Sequence, residues 1–469
     1  MVTIEQKPLY NNLPVGQQVI FAVSENTIVA TKYKVKFVAE VHVSHAAINL
    51  GNNNALIGTF KTTPNNEGVG IFDFRPVLET FVNPDYLGST KGNGSRYKLS
   101  AVPHPIHLID RFSRNDNTVR FFAIKFKVEY ADDPTGDVGA PTNDKHSQEY
   151  VMFNGVLQND DTLTLGEINV SGSLVSGNNY GYNLDATNFY PLPSLMKFLT
   201  NAPTTQYARL TDYGAMGFLN FLPSATDRVR SFDITYYWDG GSSTQNIWQG
   251  WTAGGQWGFF AKTEILLMYF GCFPANLQNW SSAFATAVTN GLTHYTIQAK
   301  DEYSAIGQLY TINIICDNQR GYEGIRLTWL NQWGTWDYYT FNMKSTKSIK
   351  TKRISYTQQE GTWNESTFKI NGYKGGKKNF KVNSTERIKL NTGFVTEAEG
   401  VWFEELINSN EVYIVNGFST DEYRTITNKY IEPVTLRTSS YTRKTIANDK
   451  NMQYTIEIEK SKMKRTQAV

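Results

Sequence analysis

Two stretches of the chain alternate apolar and polar residues with a period of two. In "YKVKFVAEVHV" (Tyr33 to Val43), Tyr33, Val35, Phe37, Ala39, Val41 and Val43 share one face. Lys34, Lys36, Glu40 and His42 share the other, with Val38 the exception. In "VRFFAIKFKVEY" (Val119 to Tyr130), Phe122, Ile124, Phe126, Val128 and Tyr130 point one way and Lys125, Lys127 and Glu129 the other. Successive side chains of a strand point to opposite faces, so each stretch predicts a long half-buried strand with its charged side in water.

A third pattern is aromatic. In "IRLTWLNQWGTWDYYTF" (Ile325 to Phe341), Ile325, Leu327 and Trp329 alternate with Arg326, Thr328 and Leu330, and Trp336, Tyr338 and Thr340 alternate with Asp337, Tyr339 and Phe341. "NQWGT" between them supplies a glycine-containing turn, which predicts a hairpin stabilised by aromatic cross-strand pairs. Core packing is the expectation for most of these rings, with Trp333 at the tip the most exposed.

Helical patterns are few. "TEAEGVWFEELINSN" begins with Thr396 and Glu399 in capping-box spacing and continues with Val401, Trp402, Phe403, Leu406 and Ile407. It predicts a helix from near Glu397, packed on the strands that follow it. "PVLETFV" from Pro76 and "PSLMKFL" from Pro193 share the spacing P-x-L-x-x-F and predict short connecting helices.

These patterns predict a mostly β protein with two sandwich-like domains and a smaller α+β module. The first domain is expected at 1–130 and the second, aromatic-rich, at 150–345. "ADDPTGDVGAPTNDKHSQ" makes 131–149 a linker or long loop, 346–379 is expected to be a basic connector or edge strands, and the α+β module occupies 380–469. Asp133, Asp137 and Asp144 lack the glycine and terminal glutamate of a calcium loop.

Composition narrows the function classes. The 469 residues are 40% hydrophobic, 14% aromatic and 19% charged, and the net charge of +2 gives no global field for nucleic acid or an acidic membrane. Two cysteines, Cys272 and Cys316, are too few for a disulfide scaffold, and there is no C-x-x-C. No signal-peptide pattern opens the chain, which places its synthesis and folding in a cytoplasm as an expectation. The most apolar segment, "EILLMYFGCFPANL", is broken by Gly271 and Pro274 and is too short to cross a bilayer, so no membrane insertion is expected.

Chemistry-bearing motifs are sparse. His42 with His45, and His104 with His107, are three apart, a spacing that on strands turns the rings to opposite faces. No nucleophile elbow, P-loop or dinucleotide fingerprint occurs. The reading is therefore of a non-enzymatic protein without cofactor or metal.

Eight of the ten tryptophans lie between Trp238 and Trp336, and Trp248, Trp251 and Trp257 sit among Gly, Gln, Ser and Thr. That mixture suits a core, a protein interface or a sugar-binding surface. From Lys344 to Lys389 there are twelve Lys or Arg against three Glu. Lys344, Lys347, Lys350, Lys352, Arg353, Lys377 and Lys378 mark a second candidate contact surface, or an edge strand that lysines keep from aggregating.

Four stretches carry a resemblance: "CDNQRGYEGIRLTWLNQWGTWDYYTF", the opening "VTIEQKPLYNNLPVGQQVIFAVS", "FLTNAPTTQYARLTDYGAMGFL" and the closing "TLRTSSYTRKTIANDKNMQYTIEIE". Together they resemble virion structural proteins of tailed phages, the tail- and baseplate-associated kind found in phages of marine and gut hosts. The resemblance implies a component of the tail, baseplate or host-adsorption apparatus, located in the virion after assembly in host cytoplasm. It implies other virion proteins as partners and a homo-oligomer. It carries no catalytic residues. A carbohydrate-binding β-sandwich protein recognising host-surface glycans is the alternative, a polysaccharide hydrolase a further one, and nucleic acid is not an expected partner.

Overall fold

In the computed structural model, the described residues are 1–8, 12–45, 48, 50, 55–84, 112–115, 118–156, 196–220, 229–248, 266–301, 304–315, 321–364, 366–416, 431–443 and 452–465. The two alternating stretches are strands, Tyr33–Ser44 and Val119–Ala131, and they pair antiparallel. They form the centre of a sheet ordered Asn12–Pro14, Tyr150–Phe153, Val119–Ala131, Tyr33–Ser44, Leu56–Thr62. A smaller sheet of Thr3–Gln6, Ile20–Ser24 and Val69–Asp73 faces it. Rings from both sheets meet between them: Phe21 lies 5.5 Å from Phe126 and 5.8 Å from Tyr150, and Phe72 lies 5.8 Å from Phe126. This is sandwich packing over an apolar core, built from the predicted inward set with the exception of Tyr33, which is exposed at the strand's start.

The outward set behaves differently from the sequence expectation. Val38 and His42 are buried as fully as Phe37 and Val41, so the middle of this strand is covered on both faces. In the middle of the second face, charges are paired across strands, Lys127 with Glu40 and Lys61 with Glu129. Pairing is what makes such charges tolerable near a covered sheet face. The expected linker is partly a strand: Thr142–His146 joins Val119–Ala131. Before it, Asp133 folds a tight turn by accepting from the N–H groups of Thr135 and Gly136.

A second sandwich follows. Its five-stranded sheet is ordered Thr205–Arg209, Ala305–Ile315, His294–Lys300, Ser231–Trp238, Gly241–Trp248, and its three-stranded sheet joins Met216–Asn220, Leu266–Phe270 and Phe112–Asn115. Phe232 and Phe270 stack at 4.5 Å, and Phe198 stacks on Phe232 at 5.5 Å. The P-x-L-x-x-F pattern has two outcomes. Arg75–Leu78 is an α-helical turn continued by a 3-10 turn, as expected. Residues 196–199 are not helical: Met196 O accepts from Gln308 N, Phe198 N donates to the Tyr310 hydroxyl, and Leu199 N donates to Gly217 O. Backbone partners on neighbouring strands replace the helix's own ladder there.

The chain divides into two compact units, Met1–Ile314 with Leu330–Asp337, and Ile315–Trp329 with Tyr338–Val469. The division at 314/315 falls inside the segment that composition marked as one aromatic-rich domain. The second unit is built on a seven-stranded sheet ordered Trp336–Phe341, Ile325–Leu330, Val412–Val415, Ile431–Leu436, Thr455–Lys460, Gly376–Asn391, Thr346–Gln358. The helix Glu397–Asn408 packs on it. Thr396 Oγ1 accepts from Glu399 N while the Glu399 carboxylate accepts from Thr396 N, the reciprocal capping box that the spacing predicted. Trp402 lies 4.9 Å from Trp329, and Phe403 lies 4.7 Å from Tyr339. Gly400 permits this docking, since a Cβ there would stand 2.7 Å from the Tyr454 hydroxyl oxygen. No helix among the described residues is long and apolar enough to cross a membrane.

Candidate contact surface

The aromatic hairpin is a core element. Ile325–Leu330 and Trp336–Phe341 are its strands, and almost every residue of both is buried. Even Arg326 is only 2% exposed; its guanidinium donates to the Thr340 hydroxyl at 2.9 Å and lies over the Tyr338 ring. Trp333, expected to be the exposed ring, is 2% exposed. Two features draw it in. The Asn331 side chain accepts from Trp333 N and Thr335 N and donates to Leu199 O, which fixes the turn. The Trp333 indole then donates to Asn201 Oδ1. Gly334 takes a φ of +74°, and a Cβ there would sit 1.7 Å from Asn154 O, so the turn is pressed against backbone. Trp333 is therefore no candidate for a surface contact.

The tryptophan loop gives less. Trp248 ends the strand Gly241–Trp248 at the edge of its sheet, opposite Ser231, and its side chain lies outside the described residues. Trp251 and Trp257 also lie outside them, as do Cys316, His104 and His107.

The basic stretch is a long antiparallel ribbon. Thr346–Gln358 pairs with Gly376–Asn391 from Thr346↔Lys389 to Gln358↔Gly376, with an irregularity at Phe380. Near its base the ribbon is part of the sheet, because Arg387–Asn391 also pairs with Thr455–Lys460. Further out Ser384 bridges to Lys464, and beyond that the ribbon has two strands. A second hairpin, Gly361–Asn364 with Thr367–Ile370, caps its far end. Gly375 and Gly376, both at positive φ, carry the chain back from that hairpin into the ribbon.

Charge is handled differently along its length. At the base, Lys347 pairs with Glu323 and Arg387 with Glu459. A hydrogen bond from Lys464 holds the Glu386 carboxyl below its usual range, and Arg437 and Arg387 do the same for Glu459. Lys350, Lys352, Arg353 and Lys377 are exposed and have no ion-pair partner among the described residues. Lys378 donates to Tyr373 O. Lys344 lies just before the ribbon, exposed. Of the basic residues singled out by sequence, all seven thus fall on the ribbon or at its foot.

The ribbon also carries what the charge pattern did not reveal. Its far end exposes Trp363 at 71%, Ile370 at 74% and Tyr373 at 76%, with Phe368 directly opposite Trp363. Ile349, Ile354, Tyr356 and Phe380 are exposed along the shaft. The sequence signal was present in "GTWNESTFKINGYKGGKKNF", where large apolar residues sit singly among Lys, Gly and Asn with no second apolar stretch to face. Exposed aromatic and aliphatic side chains thus lie together at the far end of the ribbon, among lysines.

One buried group stands apart. His42 is fully buried, neither ring nitrogen has a hydrogen-bond partner among the described residues, and loss of water lowers its pKa, so the neutral ring is favoured. Among the described residues no three His, Cys, Asp or Glu side chains converge as a metal ion requires.

No family model matches the chain. No curated protein matches it either. Among solved structures, it is similar to E. coli alpha-2-macroglobulin in its native conformation, at 8% identity over 83% of this chain, with a TM-score of 0.18. The match spans 21% of that larger chain.

Proposed function

We propose that this chain is a structural subunit of a tailed phage particle, in the tail, baseplate or adsorption apparatus, and that it works through protein contacts rather than catalysis. The observation that supports this reading is the ribbon, whose apolar and cationic side chains are left exposed. Monomeric proteins seldom leave so much clustered apolar surface uncovered without a use for it. The phage context rests on the four sequence stretches that resemble virion proteins.

The test is direct. Particles purified from infected cells should contain the chain in fixed ratio to their other proteins, and an antibody against it should mark one location in negative-stain images. A chain that never co-purifies with particles would overturn the proposal. Trp363 and Tyr373 also suit stacking on sugar rings. A glycan array bound through those rings would favour the reading of a host-surface glycan receptor.

A further inference from the structure

Charge is segregated along this chain in a way the net value of +2 conceals. Residues 346–381 hold nine Lys and Arg against two Glu, a net of +7. The first unit, residues 1–314 with 330–337, holds 21 Lys and Arg against 27 Asp and Glu, a net of −6. The rest of the second unit is nearly neutral, with 15 against 14. A cationic ribbon and an anionic body therefore occur in the same chain.

Trp363, Ile370 and Tyr373 of the ribbon are exposed among the described residues. Its occupant must be anionic and must also offer apolar surface to those rings. We propose that the ribbon is an arm that docks on a second copy of this chain, on that copy's acidic first unit; this rests on the structural-subunit reading above. A polyanion such as nucleic acid, or an anionic membrane, would be drawn to the ribbon and repelled by the body. A second copy satisfies both charges at once, because its acidic body is the partner of the first copy's arm. Such a contact joins two different surfaces, so it propagates from copy to copy and closes into a ring when the rotation allows.

The two parts of the ribbon have separate tasks in this contact. Cations of the shaft steer and orient the encounter, which is the usual contribution of charge at interfaces. The rings at the tip supply the anchor, since buried aromatic residues carry a large share of binding energy.

The experiment uses the full chain. Isotope-labelled and unlabelled protein are mixed and cross-linked with a carbodiimide, which joins lysine to carboxylate without a spacer. Mixed-isotope links from lysines of 346–381 to carboxylates of the first unit are the expected result. Light scattering should show association that weakens by about tenfold or more when salt rises from about 0.1 M to about 1 M, a change that shortens the screening length from about 10 Å to about 3 Å. Trp363→Ala with Phe368→Ala should weaken association about thirtyfold, the loss typical of an anchor residue, and Lys350→Glu with Lys377→Glu, which take the ribbon from +7 to +3, should clearly reduce its salt dependence, both with unchanged melting temperature. Association untouched by these four substitutions, or mixed links confined to other surfaces, would overturn the arm. So would a monomer that binds oligothymidylate or phosphatidylserine vesicles through the ribbon. If the arm fails while the chain still enters particles, the subunit reading stands; absence from particles removes that reading itself.

Discussion

Two aromatic hairpins lie within fifty residues of each other, and they meet opposite fates. Ile325–Phe341 carries three tryptophans and buries nearly all of its length. The ribbon of residues 346–391 and its capping hairpin carry Tyr356, Trp363, Phe368, Tyr373 and Phe380, all exposed. The difference lies in what each has to face. The first hairpin meets the helix Glu397–Asn408 through Trp329, Trp402 and Phe403. The second has cations interleaved among its apolar positions and, past Ser384, no third strand or helix alongside it among the described residues. Aromatic content alone therefore does not mark a core; a facing apolar surface does.

The strongest way to break this comparison is to truncate a ring in each hairpin. Trp402→Ala and Trp329→Ala should each destabilise the second unit by about 3–5 kcal/mol, the range for losing a fully buried large aromatic. Trp363→Ala should stay within about 0.5 kcal/mol, as surface substitutions do. Urea denaturation followed by fluorescence reads both. A loss above about 2 kcal/mol at Trp363 would mean that the tip packs on something within the chain. Trp329→Phe is a refinement: the Trp329 indole N–H is buried without a partner among the described residues, so phenylalanine should recover part of the stability that alanine loses.

A smaller effect tests the turn that draws Trp333 inward. Asn331→Ala removes the acceptor for two backbone N–H groups and the donor to Leu199 O, and should cost about 1–3 kcal/mol. Its signature is a red-shifted emission as Trp333 gains water. An unchanged spectrum would show that the close approach of Gly334 to Asn154, not the asparagine, holds the ring in place.

The smallest effect separates the hairpins by pH. Glu386 and Glu459, at the ribbon's base, have their pKa lowered in the folded chain by lysine and arginine partners. Their contribution is present above the ordinary glutamate value of 4.5 and is lost as pH falls below it through the folded value. In the buried hairpin, burial pushes the Tyr339 hydroxyl upward, so it stays neutral throughout. Hydrogen exchange should therefore quicken in 384–391 on acidification while 325–330 keeps its protection. Equal loss in both segments would show that the ion pairs do not act locally.

Sequence carried the local rules. Period-two alternation in Tyr33–Ser44 and Val119–Ala131, and the Thr396–Glu399 spacing at the helix start, were legible because strand pleat and helix capping depend on residues a few positions apart. The mostly β class followed from the same patterns. Lysine-rich alternation at 346–353 likewise marked what became the edge strand of the seven-stranded sheet.

Only tertiary structure decided what those local pieces face. His42 reads as a solvent-side residue of an alternating strand, yet the sheet is covered on that side too. Trp333 sits at a hairpin tip, where exposure is the local expectation, and is buried because Leu199, Asn201 and Asn154 from distant positions close over the turn. Residues 196–199 repeat a helical spacing and bond to neighbouring strands instead. Trp363 and Tyr373 sit singly among Lys, Gly and Asn and stay exposed among the described residues, whereas Trp329 and Tyr339 meet Trp402 and Phe403 of a helix some seventy positions away. Burial is a property of pairs of surfaces, and the second surface of each pair lies far away in the sequence.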